Sequence, residues 1–185
     1  MQKSRIAYVI VILVVFGAAF LLTRPFGRVD EPDPIAAVPP PQVITIGDSL
    51  DTMDDATRSK YNLQVATMQD QVIPVQEAMP SQPTAVHQGE FAQRAHAVQG
   101  IAKIATVSGQ QLLRFENFKT DYGPDLRVYL SPALNNSDVI DLGPLKGSEG
   151  NFNYQIPEGT ATQKYSKVLV WCRAFGVLFS YAEVK

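Results

Sequence analysis

One cysteine, Cys172, stands in a chain of 185 residues. A single thiol cannot close an internal disulfide. It is a packed hydrophobe, a free redox group, a ligand, or half of a bridge to another molecule. It also cannot supply the three or four thiolates of a zinc or iron–sulfur centre. Covalent heme attachment, which needs two cysteines followed by histidine, is excluded on the same ground. Histidine is scarce too, with only His87 and His96. Excess positive charge is missing: the formal net charge is -2, so nothing in the composition favours a nucleic-acid partner. Charged residues make up only 18% and hydrophobic ones 45%. That balance is too apolar for a disordered chain and fits one globular domain with a membrane segment.

Residues 6–22 are an uninterrupted apolar run, flanked by Lys3 and Arg5 before and by Arg24 and Arg28 after. About 17 helical residues lie near the lower limit for crossing a bilayer core. The small residues Gly17, Ala18 and Ala19 would also suit a signal peptidase. Phe20, Leu21 and Leu22 carry the run past that point, which favours an uncleaved signal-anchor over residues 1–24. The foldable mass follows the span, so the anchor would place it outside the cytoplasm. Pro25, Pro32, Pro34, Pro39, Pro40 and Pro41 then make an extended, semi-rigid spacer.

Residues 48–71 read as a helix. Asp48 or Ser49 can cap its start, and Asp51, Asp54 and Asp55 lie near its positive end. Leu50, Met53 and Thr57 share a face, which allows either a packed helix or a solvated stalk. Pro80 and Pro83 close a second linker, so linker and stalk together cover 25–83 and the folded domain is expected over 84–185.

The texture then becomes β. Residues 101–107 and 111–118, separated by Ser108 and Gly109, form a hairpin. Leu126, Val128 and Leu130 alternate with Arg127 and Tyr129, so the first three face a core. Short strands follow at 139–142 and 153–156, and two long ones at 165–172 and 175–184. The expected fold is all-β: an antiparallel β-sandwich-like domain behind one transmembrane helix, a proline-rich linker and a short helix.

An ordered set of residues over 89–184 resembles the DM-thirteen, or electron transfer, domain family. It comprises Gly89, Glu90 and Phe91; His96 with Gly100; and the run from Leu113 to Phe118. Gly123 through Ser131, Asp141 through Gly147, Gly150, Asn151 and Tyr154 continue it, and Trp171, Cys172 and Phe175 complete it. The resemblance implies a β-sandwich-like domain. It also implies redox work at the cysteine, either as a free thiol or by holding a prosthetic group such as heme, and hence a redox partner protein.

Cys172 and His96 are the candidate site residues, able in principle to give a heme iron two axial ligands. Each has a plain structural reading as well. Val168, Val170 and Cys172 share one strand face while Leu169 and Trp171 share the other, and a thiol buried between apolar faces is inert. Arg173 could lower the thiol pKa only at a bend, because successive strand residues point to opposite faces. A histidine near a strand start is commonly a hydrogen-bonded structural group. Asp125 and Asp141 sit at turns, where aspartate satisfies backbone groups, and make no catalytic pair. Nothing points to an enzyme or to a metal. Two functions stand: a membrane-anchored redox module, or a structural or adhesive envelope module in which Cys172 is core.

Overall fold

The computed structural model describes residues 45–185. The apolar run at 6–22 and the proline-rich spacer lie outside the described residues. No helix among the described residues is long and apolar enough to cross a membrane.

The strands are β1 (Ile46–Gly47), β2 (Pro74–Gln76), β3 (Ala85–Gln93), β4 (Val98–Val107), β5 (Gln110–Thr120) and β6 (Leu126–Ser131). They continue as β7 (Leu134–Asn135), β8 (Ile140–Pro144), β9 (Glu149–Gln155), β10 (Lys167–Cys172) and β11 (Val177–Glu183), with one helix, α1 (Asp55–Met68). Nine of them form a single sheet in the order β2-β9-β5-β4-β3-β11-β10-β6-β8, while β1 and β7 pair separately. The expected hairpin is β4–β5. Ser108 (φ 50°) and Gly109 (φ 82°) turn it with two positive φ values, the mirror-image turn that suits the strand twist.

The structure is mostly β, as expected, but nine of its strands form one sheet curled into a half-barrel rather than the two facing sheets of a sandwich. The physical reason lies in β3. Its residues from Ala85 to Glu90 pair with β4, and those from Phe91 to Ala92 and Gln93 pair with β11. One long strand therefore belongs to both halves and bends the sheet between them. Register shifts within β4–β5, β5–β9, β6–β8 and β10–β11 add further bending. The sheet is not wholly antiparallel either, since edge strand β2 runs parallel to β9.

Curling gives the sheet an inside. Phe91, Phe115, Phe118, Phe152 and Tyr154 fill one end of it, with neighbouring ring centroids 4.8–6.0 Å apart. Val168, Val170 and Cys172 of β10 join this inner core. Leu169 and Trp171 join a smaller outer cluster with Tyr129, Leu134 and Leu178. Strand β10 is thus apolar on both faces and central between β6 and β11, in line with its sequence parity. Tyr129, expected at an edge or outside, is buried in the outer cluster.

Helix α1 begins later than the acidic run suggests. Asp54, not Asp48 or Ser49, is the cap and accepts from the Thr57 amide at 2.8 Å. Asp48 and Ser49 are engaged elsewhere: Ser49 Oγ donates to the Phe175 and Gly176 carbonyls, and Asp48 accepts from the Leu178 amide. The helix is not a solvated stalk. Tyr61 and Val65, one turn apart, are each 4% exposed and enter the inner core, whereas Leu63 stays outside. With β2 paired to β9 and α1 entering the inner core, the described residues before 84 are packed structure, in one compact unit with those that follow.

Candidate functional site

Cys172 ends β10, just before the chain turns into β11. Its parity sends Sγ inward, where the residue has no solvent exposure. The thiol donates to the Pro124 carbonyl at 3.1 Å. Burial pushes its pKa up to about 11; the Phe175 and Ala174 amides, which face the sulfur, only partly oppose this. Arg173 does lie at a bend but turns to Asp125, 2.7 Å away on the surface. It gives the thiol no activating contact.

His96 sits in the loop from β3 to β4. That loop is held by one carbonyl: the amides of Arg94, Ala95 and His96 all point at Phe179 O, at 3.0–3.2 Å. The Phe179 ring stacks on the imidazole with centroids 4.0 Å apart. The same ring reaches over Gly123, where any Cβ would overlap its tip, so glycine is needed for the aromatic wall to close. Imidazole Nε2 lies 2.7 Å from the Tyr61 hydroxyl and Nδ1 lies 3.1 Å from Asp121 Oδ2. A carboxylate can only accept, so in the neutral imidazole Nδ1 carries the hydrogen and Nε2 accepts from the Tyr61 O–H. Tyr61 is deeply buried, and its ring meets Phe175 edge-on at 5.3 Å. Desolvation raises its pKa well above the ordinary phenol range, and the nearby Cys172 raises it further.

The structure therefore brings Cys172 and His96 to one aromatic wall, formed by Tyr61, Phe175 and Phe179, without a hydrogen bond between them. Asp121 and Tyr61 are site residues that the sequence reading missed. Tyr61 had a weak signal in its helical spacing to Val65; Asp121 had none. Asp125 and Asp141 do not meet as a pair, since Arg173 holds the first and Arg127 the second. His87 lines a different cleft, of about 300 Å³, with Ile104, Ser166 and Val184.

Heme does not fit these residues as axial ligands. An iron needs a free imidazole lone pair and a thiolate. Nδ1 is committed to Asp121, Nε2 to Tyr61, and the thiol proton to Pro124. Phe179 also covers one face of the imidazole ring.

Fold and site together define a small curled-sheet domain with an enclosed thiol and a buried tyrosine bonded to a half-buried histidine. Residues 90–184, just over half of the chain, match the family model described as Electron transfer DM13, and the chain belongs to that family. No curated protein and no solved structure matches it.

The enclosed thiol makes stability fall at alkaline pH. In an unfolded chain Cys172 loses its proton near pH 9.0; in the folded chain it keeps it to about 11. Between those values the folded state binds the extra proton, so stability declines as pH rises, approaching about 1.4 kcal/mol per pH unit. Urea melts of wild type from pH 8 to 10 should show the decline, and Cys172→Ala should flatten it. An equal slope in both proteins would show that the thiol does not cause it. Tyr61 and Tyr154, both raised by burial, add a decline of the same sign that sets in about one unit below the ordinary phenol value of 10.0, so the two proteins differ most plainly between pH 8 and 9.

Proposed function

We propose that the chain is a membrane-anchored electron-transfer module held outside the cytoplasm, in which Cys172 serves as an enclosed free thiol rather than as the ligand of a prosthetic group. Membership of the electron transfer family supports redox work with a partner protein. The observation that carries the thiol reading is the sealed position of Sγ against Pro124 O, beside the Tyr61–Phe175 wall. Such a thiol is protected from disulfide exchange and over-oxidation, which both need an accessible thiolate. One-electron exchange does not need that access: the thiol would give one electron to the partner's one-electron acceptor and its proton to solvent, leaving a thiyl radical that the returning electron and proton restore. The apolar run at 6–22 supplies the anchor.

Oxidative titration of the full chain in detergent, with a one-electron mediator, tests the thiol. Cys172→Ala should lower the electron count, and the native thiol should resist a small alkylating reagent until the protein unfolds. A Soret band in protein purified from its native membrane would overturn the cofactor-free reading. Topology has its own test: protease added to spheroplasts should remove the domain and leave a short anchored fragment. Protection of the domain until lysis would place it on the other side.

The second reading is a structural or adhesive envelope module. It is favoured by the same burial, because a thiol with no exposure is a good core residue. An unchanged electron count in Cys172→Ala selects it for the cysteine.

A further inference from the structure

We propose that Tyr61, His96 and Asp121 form a proton-coupled redox site, in which the Tyr61 phenol gives one electron to a one-electron metal oxidant and its proton to His96. The proposal rests on the electron-transfer reading and supplies its working residue; it does not need Cys172.

With the imidazole neutral, the hydrogen-bond chain runs in one direction. Tyr61 O–H points at Nε2 over 2.7 Å, and the Nδ1–H on the far side of the ring points at Asp121 over 3.1 Å. Phenol oxidation is difficult while the proton stays on oxygen, because the product is then a cation radical inside an apolar core. Here the proton has a base to move to. In the step, the Tyr61 O–H bond breaks and an N–H bond forms at His96 Nε2. One electron leaves, reducing the oxidant's metal by one unit. The products are a neutral phenoxyl radical and an imidazolium. The Asp121 carboxylate faces that imidazolium; its side chain is 41% exposed and lines a surface cleft of about 330 Å³. The positive charge therefore forms at the wet end of the chain. Returning the electron reverses each transfer.

Burial selects this chemistry over others. A tyrosine, histidine and aspartate in a row could activate a nucleophile. Tyr61 is only 4% exposed, however, and no substrate reaches its oxygen. An electron crosses packed aromatic side chains without contact, and Phe175 and Phe179 provide them on either side.

Tyr154 is the internal comparison. It is equally buried, but its hydroxyl donates to the Pro144 carbonyl and accepts from the Lys146 amide. A carbonyl is a far weaker base than an imidazole, so Tyr154 has no proton acceptor to match His96. Among the described tyrosines, Tyr61 alone is bonded to an imidazole.

The experiment is flash oxidation of the full chain in detergent by photogenerated tris(bipyridine)ruthenium(III), followed by electron paramagnetic resonance. Wild type should give a tyrosyl radical coupled to an exchangeable proton. Tyr61→Phe should lose that signal, whereas Tyr154→Phe and Cys172→Ala keep it. His96→Gln should slow radical formation about 100-fold, as loss of a general base does, and remove the exchangeable coupling. An equal radical yield in Tyr61→Phe overturns the proposal. Should that variant fail to fold, wild-type kinetics in His96→Gln overturn it instead. A Cys172→Ala protein that keeps the radical but shows an unchanged electron count removes the thiol reading alone.

Discussion

Asp48→Ala should cost about 3–5 kcal/mol, the usual consequence of stranding the partners of a buried charge. Its side chain is 1% exposed. It accepts from the Leu178 amide at 3.2 Å, from the Leu50 amide at 3.2 Å and from Arg94 at 3.3 Å. Removing it leaves the Leu178 amide without this acceptor and Arg94 with only the exposed Asp51. Arg94 Nε is already buried without a partner, so the guanidinium has no reserve. The melting temperature should fall by roughly 10 °C or more. Asp48→Asn should recover part of the loss, because an amide oxygen still accepts. Adding Arg94→Met to Asp48→Ala should recover part as well, by removing the stranded charge. A loss below about 1 kcal/mol in Asp48→Ala would show that the carboxylate is not the tie between this segment and β11.

The other large effect is at Phe115. This ring has no exposure and lies against Phe91, Phe118, Phe152 and Tyr154, with centroids 4.8–5.7 Å away. Four rings from three other strand positions and its own strand cannot all collapse into the space it leaves. Phe115→Ala should therefore cost about 3–5 kcal/mol, seen as a lower urea midpoint. Leu63→Ala, on the exposed face of α1, should stay within about 0.5 kcal/mol of wild type. Similar midpoints for the two variants would mean that the aromatic cluster does not carry the inner core.

The same contacts show why some elements could be read directly and others not. β10 was legible because Val168, Val170 and Cys172 alternate with Leu169 and Trp171, and local parity fixes which side each takes. The β4–β5 hairpin was legible because Ser108 and Gly109 state their turn chemistry locally. β3 gave no such signal: His87, Gln88 and Glu90 interrupt any apolar alternation. β2 is three residues long and exists through its pairing with β9. The helix start was displaced because Asp48 and Ser49, good caps by type, are drawn to the β10–β11 turn by partners more than 120 residues away.

The sequence by itself determined that one thiol cannot make an internal disulfide or a multi-thiolate metal centre. It also determined that the C-terminal part is β-structured and that Cys172 lies on a strand apolar on both faces. These follow from composition and from a two-residue period, both of which are local. Only the tertiary structure decided that β3 binds the halves into one curled sheet. It alone decided that His96 has both nitrogens engaged and that Tyr61 and Asp121 complete a chain through it. Those facts join residues 61, 96, 121 and 179, brought together by the curl of the sheet, and hydrogen bonds between segments so distant leave no periodic trace in the chain.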